Sequence, residues 1–502
     1  MQMFVRSALA GVALVALTAA TPPSSYTLPG PQSISETDKA TGAKADPQMA
    51  AEYGGPYAGS QSALVSRVGL TVARQSGIAA VDKDFKFTLL NSSVPNAFAI
   101  PGGFVYCTRS LLALMNDEAQ LAFVLGHETG HIAAHHSDKR QKVAQRDVLL
   151  GTLGQTLLGA ILGSGTVGQI GGQLGQAGIQ RLVVGDVMHH SRKEEFEADD
   201  LGVAYMEKAG YDGTASSDIL GSLAAQSALD AKVTGNTRTT PSWAMSHPDP
   251  AARVQRSLTR ARSLGQRGGT RDRDAFLLSL KGMLYGDDPK QGVIEGQAFK
   301  YPTDRIQFVA PAGYGMTNGT DAVTVTGTGT GAGVGQAKFT GGTYDGNLSG
   351  VVNSAFKSLS SNGAASTVTP TRTTVNGMDA MTATVGANDT AGKAMDVTVV
   401  AIATAPTVAY SFTVLQPRGS GLGDLSSLVS SFRRMTDAEA AAIRSRVVDV
   451  VTVGKKDTVA TMATRMAYTS LQTERFLVLN GLPAGTTRLT VGRKVKLIVW
   501  GK

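Results

Sequence analysis

Residues 125–131 read LGHETGH, and no other stretch restricts the possible folds of this chain as tightly. His127 and His131 are four apart, so on a helix their rings lie one turn apart on the same face. Two imidazoles in that relation can share one Zn²⁺, and Glu128 stands where a carboxylate takes a proton from activated water. The surrounding DEAQLAFVLGHETGH has helical apolar periodicity through Leu121, Val124 and Leu125 and no proline. A catalytic zinc needs a third protein ligand and an open position. The fold must therefore bring a second element, with its own ligand, against this helix.

The stretch SRKEEFEADDLG, residues 191–202, supplies candidates on a charged helix. Glu195 and Asp199 are four apart, so one carboxylate can bind metal while the other orients a ligand imidazole. Spacing leaves open which glutamate binds. Glu194, Glu197 and Asp200 read as a solvated acidic face. His135 sits two turns beyond His127, roughly 12 Å along the axis, too far to reach the same ion. It and His136 read as surface or supporting groups. All seven histidines fall between positions 127 and 247, so this chemistry belongs to one region.

A chain of 502 residues exceeds one compact core, and two to four domains are expected. The formal charge of +8 suits an acidic partner such as a membrane surface or a cell-wall polymer. No Lys/Arg run is interleaved with aromatics, which argues against nucleic acid. The arginines between positions 253 and 273 read as the solvated face of a helix. MQMFVR followed by SALAGVALVALTAA and TPPSS has the layout of a secretory signal peptide, residues 1–20, too short to span a bilayer. No cysteine follows the apolar run, which argues against a lipoprotein anchor. Cys107 is the single cysteine, so no intrachain disulfide forms despite export, and a Gram-negative periplasm fits best.

Residues 21–54 are Pro/Ser/Thr-rich and read as a linker. The domain that bears the histidines is expected over 55–265. Within it DFKFTLLNS and NAFAIPGGFVYCT alternate like strands, with Pro101-Gly102-Gly103 as the turn between extended pieces. Residues 148–180 carry no charge but frequent glycine, which weakens a helix. They read as a mobile apolar lid or a membrane-touching flap giving peripheral membrane contact. From 275 to 436 histidine is absent and Thr, Val and Gly dominate, which predicts a mostly β accessory domain. A small unit closes the chain over 448–500.

NAFAIPGGFVY, LGHETGH and SRKEEFEAD, in this order, resemble the zinc metallopeptidases of the HtpX and CAAX-prenyl-protease type. The similarity covers about residues 55–265 and is greatest to their soluble periplasmic branch, which maintains outer-membrane assembly. The resemblance implies an α+β fold with a mainly helical zincin-like (gluzincin) domain. It implies one Zn²⁺ held by His127, His131 and Glu195, with Glu128 as general base and Asp199 as the partner of a ligand imidazole. SHPDPAAR is similar to a His-Pro segment of that branch, which implies that His247 lies near the zinc and that Arg253 supports it. There His247 either closes the open zinc position or supports the reaction's oxyanion. The tail from residue 450 resembles a LysM module, with an Asp457-Thr458 helix cap and an LNGL turn. Lys456 stands where glycine is usual, so a structural β-α-α-β cap and a peptidoglycan binder acting through residues 450–499 both stay open.

The expected function is an exported zinc endopeptidase acting on unfolded or misassembled envelope proteins. The extended segment Asn96, Ala97, Phe98 and Ala99 is expected to pair with substrate backbone as an added strand. A cell-wall-binding holdase with a silent peptidase domain is one rival, and a peptidoglycan-directed metallo-hydrolase is another. The intact Glu128 argues against the first, and only the tail favours the second.

Overall fold

Ser35, Glu36 and Asp38 form a helix start inside the stretch expected to be a linker. In the computed structural model the Ser35 hydroxyl accepts from the Asp38 backbone N–H, and helix α1 runs Glu36–Glu52. Two acidic residues in its first turn complement the helix dipole. Gly42 lies against the Pro101 carbonyl and the Phe104 ring, closer than any larger residue could approach. The linker expectation for residues 21–54 is corrected over this helix, because the capping signal outweighs the average composition. The structure describes residues 29–137, 190–234, 247, 249–265, 268–319, 322–328, 335–359, 368–388 and 393–501. The signal peptide expected over 1–20 and the lid or flap expected over 148–180 lie outside the described residues.

The protein has a mixed α+β fold, helical in its first part and β-rich in its second. After α1 come α2 (Gln61–Ala73) and α3 (Val81–Asp84), then strands β1 (Lys86–Leu90), β2 (Ala97–Ile100) and β3 (Phe104–Thr108). These form a sheet of order β1-β3-β2, parallel between β1 and β3 and antiparallel between β2 and β3. The turn at Pro101-Gly102-Gly103 links β2 to β3 as expected. At Gly103 φ is +88°, and a Cβ would sit 2.3 Å from the Asp84 carbonyl oxygen, so only glycine fits. Helices α4 (Arg109–Leu114), α5 (Glu118–Ala133), α6 (Arg192–Lys208), α7 (Ala215–Thr234), α8 (Pro250–Ser263) and α9 (Arg273–Ser279) pack around the sheet.

The β-rich part begins after the short strand β4 (Leu284–Tyr285). Strands β5 (Val293–Glu295), β6 (Ala298–Tyr301) and β7 (Ile306–Val309) lie in a four-stranded sheet, completed by β15 (Arg433–Arg434). Strands β8 (Tyr314–Asn318), β9 (Val323–Gly327), β10 (Gln336–Thr343), β11 (Thr371–Val375), β12 (Met378–Asn388), β13 (Ala394–Ala405) and β14 (Val408–Pro417) form a seven-stranded antiparallel sheet. Alternation with period two sorts its side chains. Val400, Ile402, Phe412 and Val414 join Phe299, Ile306 and Phe308 in one core, while Val399 and Ala401 face Val352 of helix α10 (Leu348–Leu359).

Two short helices, α11 (Ser426–Ser430) and α12 (Asp437–Ala441), lead to the terminal unit. It consists of β16 (Arg446–Thr452), α13 (Val459–Ala463), α14 (Gln472–Leu479) and β17 (Lys494–Trp500), with β16 and β17 antiparallel. β16 also pairs with β4, so the chain leaves the first part and returns to it around the whole β-rich region. Val448, Phe476, Leu497 and Ile498 belong to the same hydrophobic core as Val68, Leu112, Leu121 and Tyr205. The fully buried Lys496 donates from Nζ to the carbonyl oxygens of Ala113 (2.6 Å) and Met115 (2.5 Å), at the end of α4. Among the described residues no helix is long and apolar enough to cross a membrane.

Candidate metal centre

Helix α5 starts at Asp117, whose side chain accepts from the Gln120 N–H, and carries His127, Glu128 and His131 into the interior. Helix α6 starts with a capping box. The Ser191 hydroxyl accepts from the Glu194 N–H, and the Glu194 carboxylate accepts from the Ser191 N–H. This commits Glu194 to the helix end and turns Glu195 and Asp199, one and two turns in, toward α5. The helices touch through glycines. A Cβ on Gly202 would lie 2.9 Å from the His127 nitrogen, and one on Gly130 would lie 3.2 Å from the Ala198 carbonyl oxygen.

His127 Nε2 and His131 Nε2 come within 3.0 Å of each other. The Glu195 carboxylate closes the group, 3.4 Å from His131 Nε2 and 3.6 Å from His127 Nε2. His127 Nδ1 faces Asp199 Oδ1 at 3.0 Å, so a hydrogen on Nδ1 leaves the lone pair of Nε2 free. His131 Nδ1 faces His136 Nδ1 at 2.8 Å, and donation there has the same effect. His247 Nε2 donates to the Ala97 carbonyl oxygen at 3.1 Å, while its Nδ1 lies 3.1 Å from Glu195 and 3.4 Å from His127 Nε2. His127, His131, Glu195 and His247 thus form one buried set of donor atoms able to hold a metal ion.

Charge makes the same point. Glu128, Glu195 and Asp199 are at most 2% exposed, and Arg253 is 3% exposed. Three carboxylates face one guanidinium and the His247 ring, an excess of negative charge in a place where uncompensated charge is expensive. A bound cation would offset that excess. The two facing imidazole lone pairs match it too, since tetrahedral zinc sets such nitrogens roughly 3.3 Å apart. Glu128 Oε2 is buried with no hydrogen-bond partner, as a group reserved for a proton would be. The residues present fit a zinc ion.

The electrostatics sort these groups. Burial raises the Glu128 carboxyl above its ordinary range despite nearby His247 and His127. Burial would raise Glu195 as well, but Arg253 and His247 hold it well below the usual carboxylate range. Arg253 Nη1 lies 2.6 Å from Glu195, and Nε and Nη2 donate to both Asp199 oxygens. Burial opposes charge on His247, yet the Glu195 and Glu128 carboxylates push it up to about 9.

Several expectations change at this point. Arg253 is not part of a solvated face, because it is sequestered between two carboxylates. Asp200 is buried and paired with Arg256, while Glu197 does lie partly open, 3.4 Å from His136. His135 is exposed, with Nε2 2.9 Å from Gln32, but His136 is fully buried. His136 forms a second trio with His131 and His190, whose ring stacks on His131 at 3.6 Å between centroids. Nothing in helical spacing announced His190, because it precedes α6 and meets His131 only through the fold.

Ala97, Phe98 and Ala99 lie on β2, an edge strand of its sheet, and Asn96 precedes it with its N–H donating to Thr108. Phe98 stacks on Tyr106, away from the metal centre. The sequence reading missed an apolar cavity of about 40 Å³ beside Glu128, walled by residues that read as ordinary core.

Residues 60–261 match the family model described as peptidase family M48. The chain is 28% identical to the beta-barrel assembly-enhancing protease of Yersinia pestis, over 42% of this chain and 41% of that protein. It is 28% identical to the protein of the same name from Escherichia coli K12, over 37% of this chain and 36% of that one. It is 31% identical to the mitochondrial metalloendopeptidase OMA1 of Schizosaccharomyces pombe, over 30% of this chain and 41% of the relative. The chain spans less than half the length of each of these proteins.

Proposed function

We propose, from the premise that residues 60–261 are a peptidase family M48 domain, that this chain is a zinc-dependent endopeptidase. His127, His131 and Glu195 hold the ion. The observation that carries this reading is the burial of His127 Nε2, His131 Nε2 and the Glu195 carboxylate around one point, beside a Glu128 oxygen that has no partner. Bound zinc supplies a Lewis acid that polarises the scissile carbonyl and makes water acidic enough to react at neutral pH.

The chain's own residues do the rest. Asp199 holds the His127 ring through Nδ1, and Arg253 holds Asp199 and Glu195 in place. Glu128 accepts the proton of the attacking water and returns it to the leaving nitrogen, a role that its raised pKa suits. The edge of β2, from Asn96 to Ala99, pairs with an extended substrate backbone, which favours unfolded chains over any one sequence. His247 Nδ1 lies beside Glu195 and His127, where it would hold the ion alongside them or give way to substrate.

The relatives' name, beta-barrel assembly-enhancing protease, supports misassembled envelope proteins as substrates. The layout of residues 1–20 supports a signal peptide and, with it, the periplasm as location. The β-α-α-β order of the terminal unit supports its LysM-like reading, and fits a structural cap as well as a peptidoglycan binder. Digestion of unfolded casein tests the enzyme. The unaltered chain should cleave it, and Glu128→Gln should keep its zinc while losing roughly 10²-fold or more of the rate. Retention of more than a few per cent of the rate by that variant overturns the mechanism.

A further inference from the structure

The positive charge of this chain is unevenly placed. Residues 446–502 hold ten of its 47 Lys and Arg but three of its 39 Asp and Glu, so this last stretch carries +7 of the net +8. An asymmetry of that size marks a surface for an anionic partner. Lys496 is buried and committed to α4, so it adds nothing to that surface.

At one end of the terminal unit the arginines are arranged. Arg446 opens β16 and pairs across the strands with Trp500, the last residue of β17. Its guanidinium carbon lies 4.8 Å from the centre of the Trp500 ring and 5.0 Å from that of Tyr468, between α13 and α14. Arg475 of α14 lies over Tyr468 at 4.2 Å, and Arg444 lies over Trp500 at 5.9 Å. Three guanidiniums thus alternate with two rings in one ladder. The sequence hides this interleaving, because the members come from separate segments.

The ladder's charge is weakly answered within the protein. The printed acceptors of its arginines are neutral main-chain carbonyls, with Arg444 Nη2 donating to Gly501, Arg446 Nε to Ala467 and Arg475 Nε to Ser470. The carboxylates that act on them are engaged elsewhere. Asp230, near Arg475, accepts from the Gln226 amide, and Asp287, near Arg446, accepts from the Ser93 hydroxyl and the Ile294 N–H. Burial raises both carboxyls above their ordinary range, which weakens the charge they offer. Arg444 is exposed, and Trp500 keeps 40% of its surface open.

A bilayer of anionic phospholipid answers both parts of this surface. Its phosphate oxygens accept paired N–H groups from a guanidinium fork. The apolar layer beneath takes the indole, a ring that settles at headgroup depth. A sugar or a base would need ring faces for stacking, and guanidiniums already lie over both rings. We propose that the ladder of Arg444, Arg446 and Arg475, with Trp500, is a peripheral docking surface for anionic phospholipid membranes. It stands apart from the metal centre and does not depend on the peptidase reading.

The test uses the zinc-loaded full chain. Vesicles of phosphatidylglycerol and phosphatidylcholine in equal parts should carry it down on sedimentation, phosphatidylcholine alone should not, and added salt should release it. Arg444→Gln, Arg446→Gln and Arg475→Gln together should weaken binding on the order of 100-fold, about fivefold for each arginine. If that triple variant melts early, Arg444→Gln alone carries the test, with a loss of about fivefold at an exposed position. Trp500 reports the contact itself. The chain has two tryptophans, so in Trp243→Phe the emission is that of Trp500. It should shift to the blue with anionic vesicles and be quenched by lipids brominated in their acyl chains.

Equal binding to both kinds of vesicle, binding to neither, unchanged binding in the folded variants, or Trp500 emission that vesicles do not move overturns the docking surface. Binding to purified sacculi that the same variants lose, with no vesicle binding, assigns the ladder to peptidoglycan and overturns the lipid reading. Casein digestion tests the peptidase reading separately, so the two fail independently.

Discussion

Arg253 shows how much of this site depends on single contacts. It holds Glu195 at one nitrogen and Asp199 at two, so one guanidinium fixes both a proposed ligand and the partner of another. Replacement of Glu195 by glutamine should therefore abolish tight zinc binding, because the amide loses both the negative charge and the Arg253 pairing. Glu194→Gln and Glu197→Gln should retain zinc, since Glu194 caps α6 and Glu197 pairs with His136. Equal zinc content across the three variants, measured by elemental analysis, would contradict the ligand assignment. His247→Ala should raise casein cleavage with zinc still bound, because His127, His131 and Glu195 remain. A wild-type rate and pH profile in that variant would rule out the latch. The pair His127 and His131 was legible in the sequence because helical spacing alone sets their relation. His136 and His190 were not, since their approach to His131 depends on where the chain turns after α5 and before α6.

The helix pair α5 and α6 shows what small residues do for such a centre. Gly126, Gly130 and Gly202 let the backbones approach until Glu195 reaches the imidazoles across the gap. In Gly202→Ala the new methyl meets the His127 backbone at 2.9 Å, and the helices must part. Overpacking of this kind costs about 1–3 kcal/mol. The variant should melt at lower temperature and bind zinc more weakly, as read by calorimetry and by competition with a chelator. Unchanged zinc affinity would mean that helix separation does not govern the site. The sequence marked α5 through its apolar periodicity and α6 as a charged helix. It gave no sign of their distance, because a glycine inside a helix reads as a weakness until its neighbour is known. Helix α1 was missed for the opposite reason, since a few capping residues outweighed a loop-like average.

For the whole molecule, order along the chain and order in space differ. The last fifty residues read as a separate appendage, yet β16 pairs with β4, and Lys496 reaches the end of α4 across more than 380 positions. Composition changes locally and cannot reveal a core closed over that distance. The β-rich region, by contrast, was legible from its Thr, Val and Gly content. Deletion of residues 446–502 would uncover Leu112 of α4 and the faces of α7 and α9 that the terminal unit packs against. The truncated chain should therefore be insoluble or cleave nothing, and a soluble, active product would show that the first part folds alone.

The central claim is that one metal ion sits between α5 and α6. Anomalous diffraction at the zinc edge from crystals of the zinc-loaded full chain measures this directly. The account predicts one peak bounded by His127 Nε2, His131 Nε2 and the Glu195 carboxylate. No peak there, or a peak only within His131, His136 and His190, would contradict it.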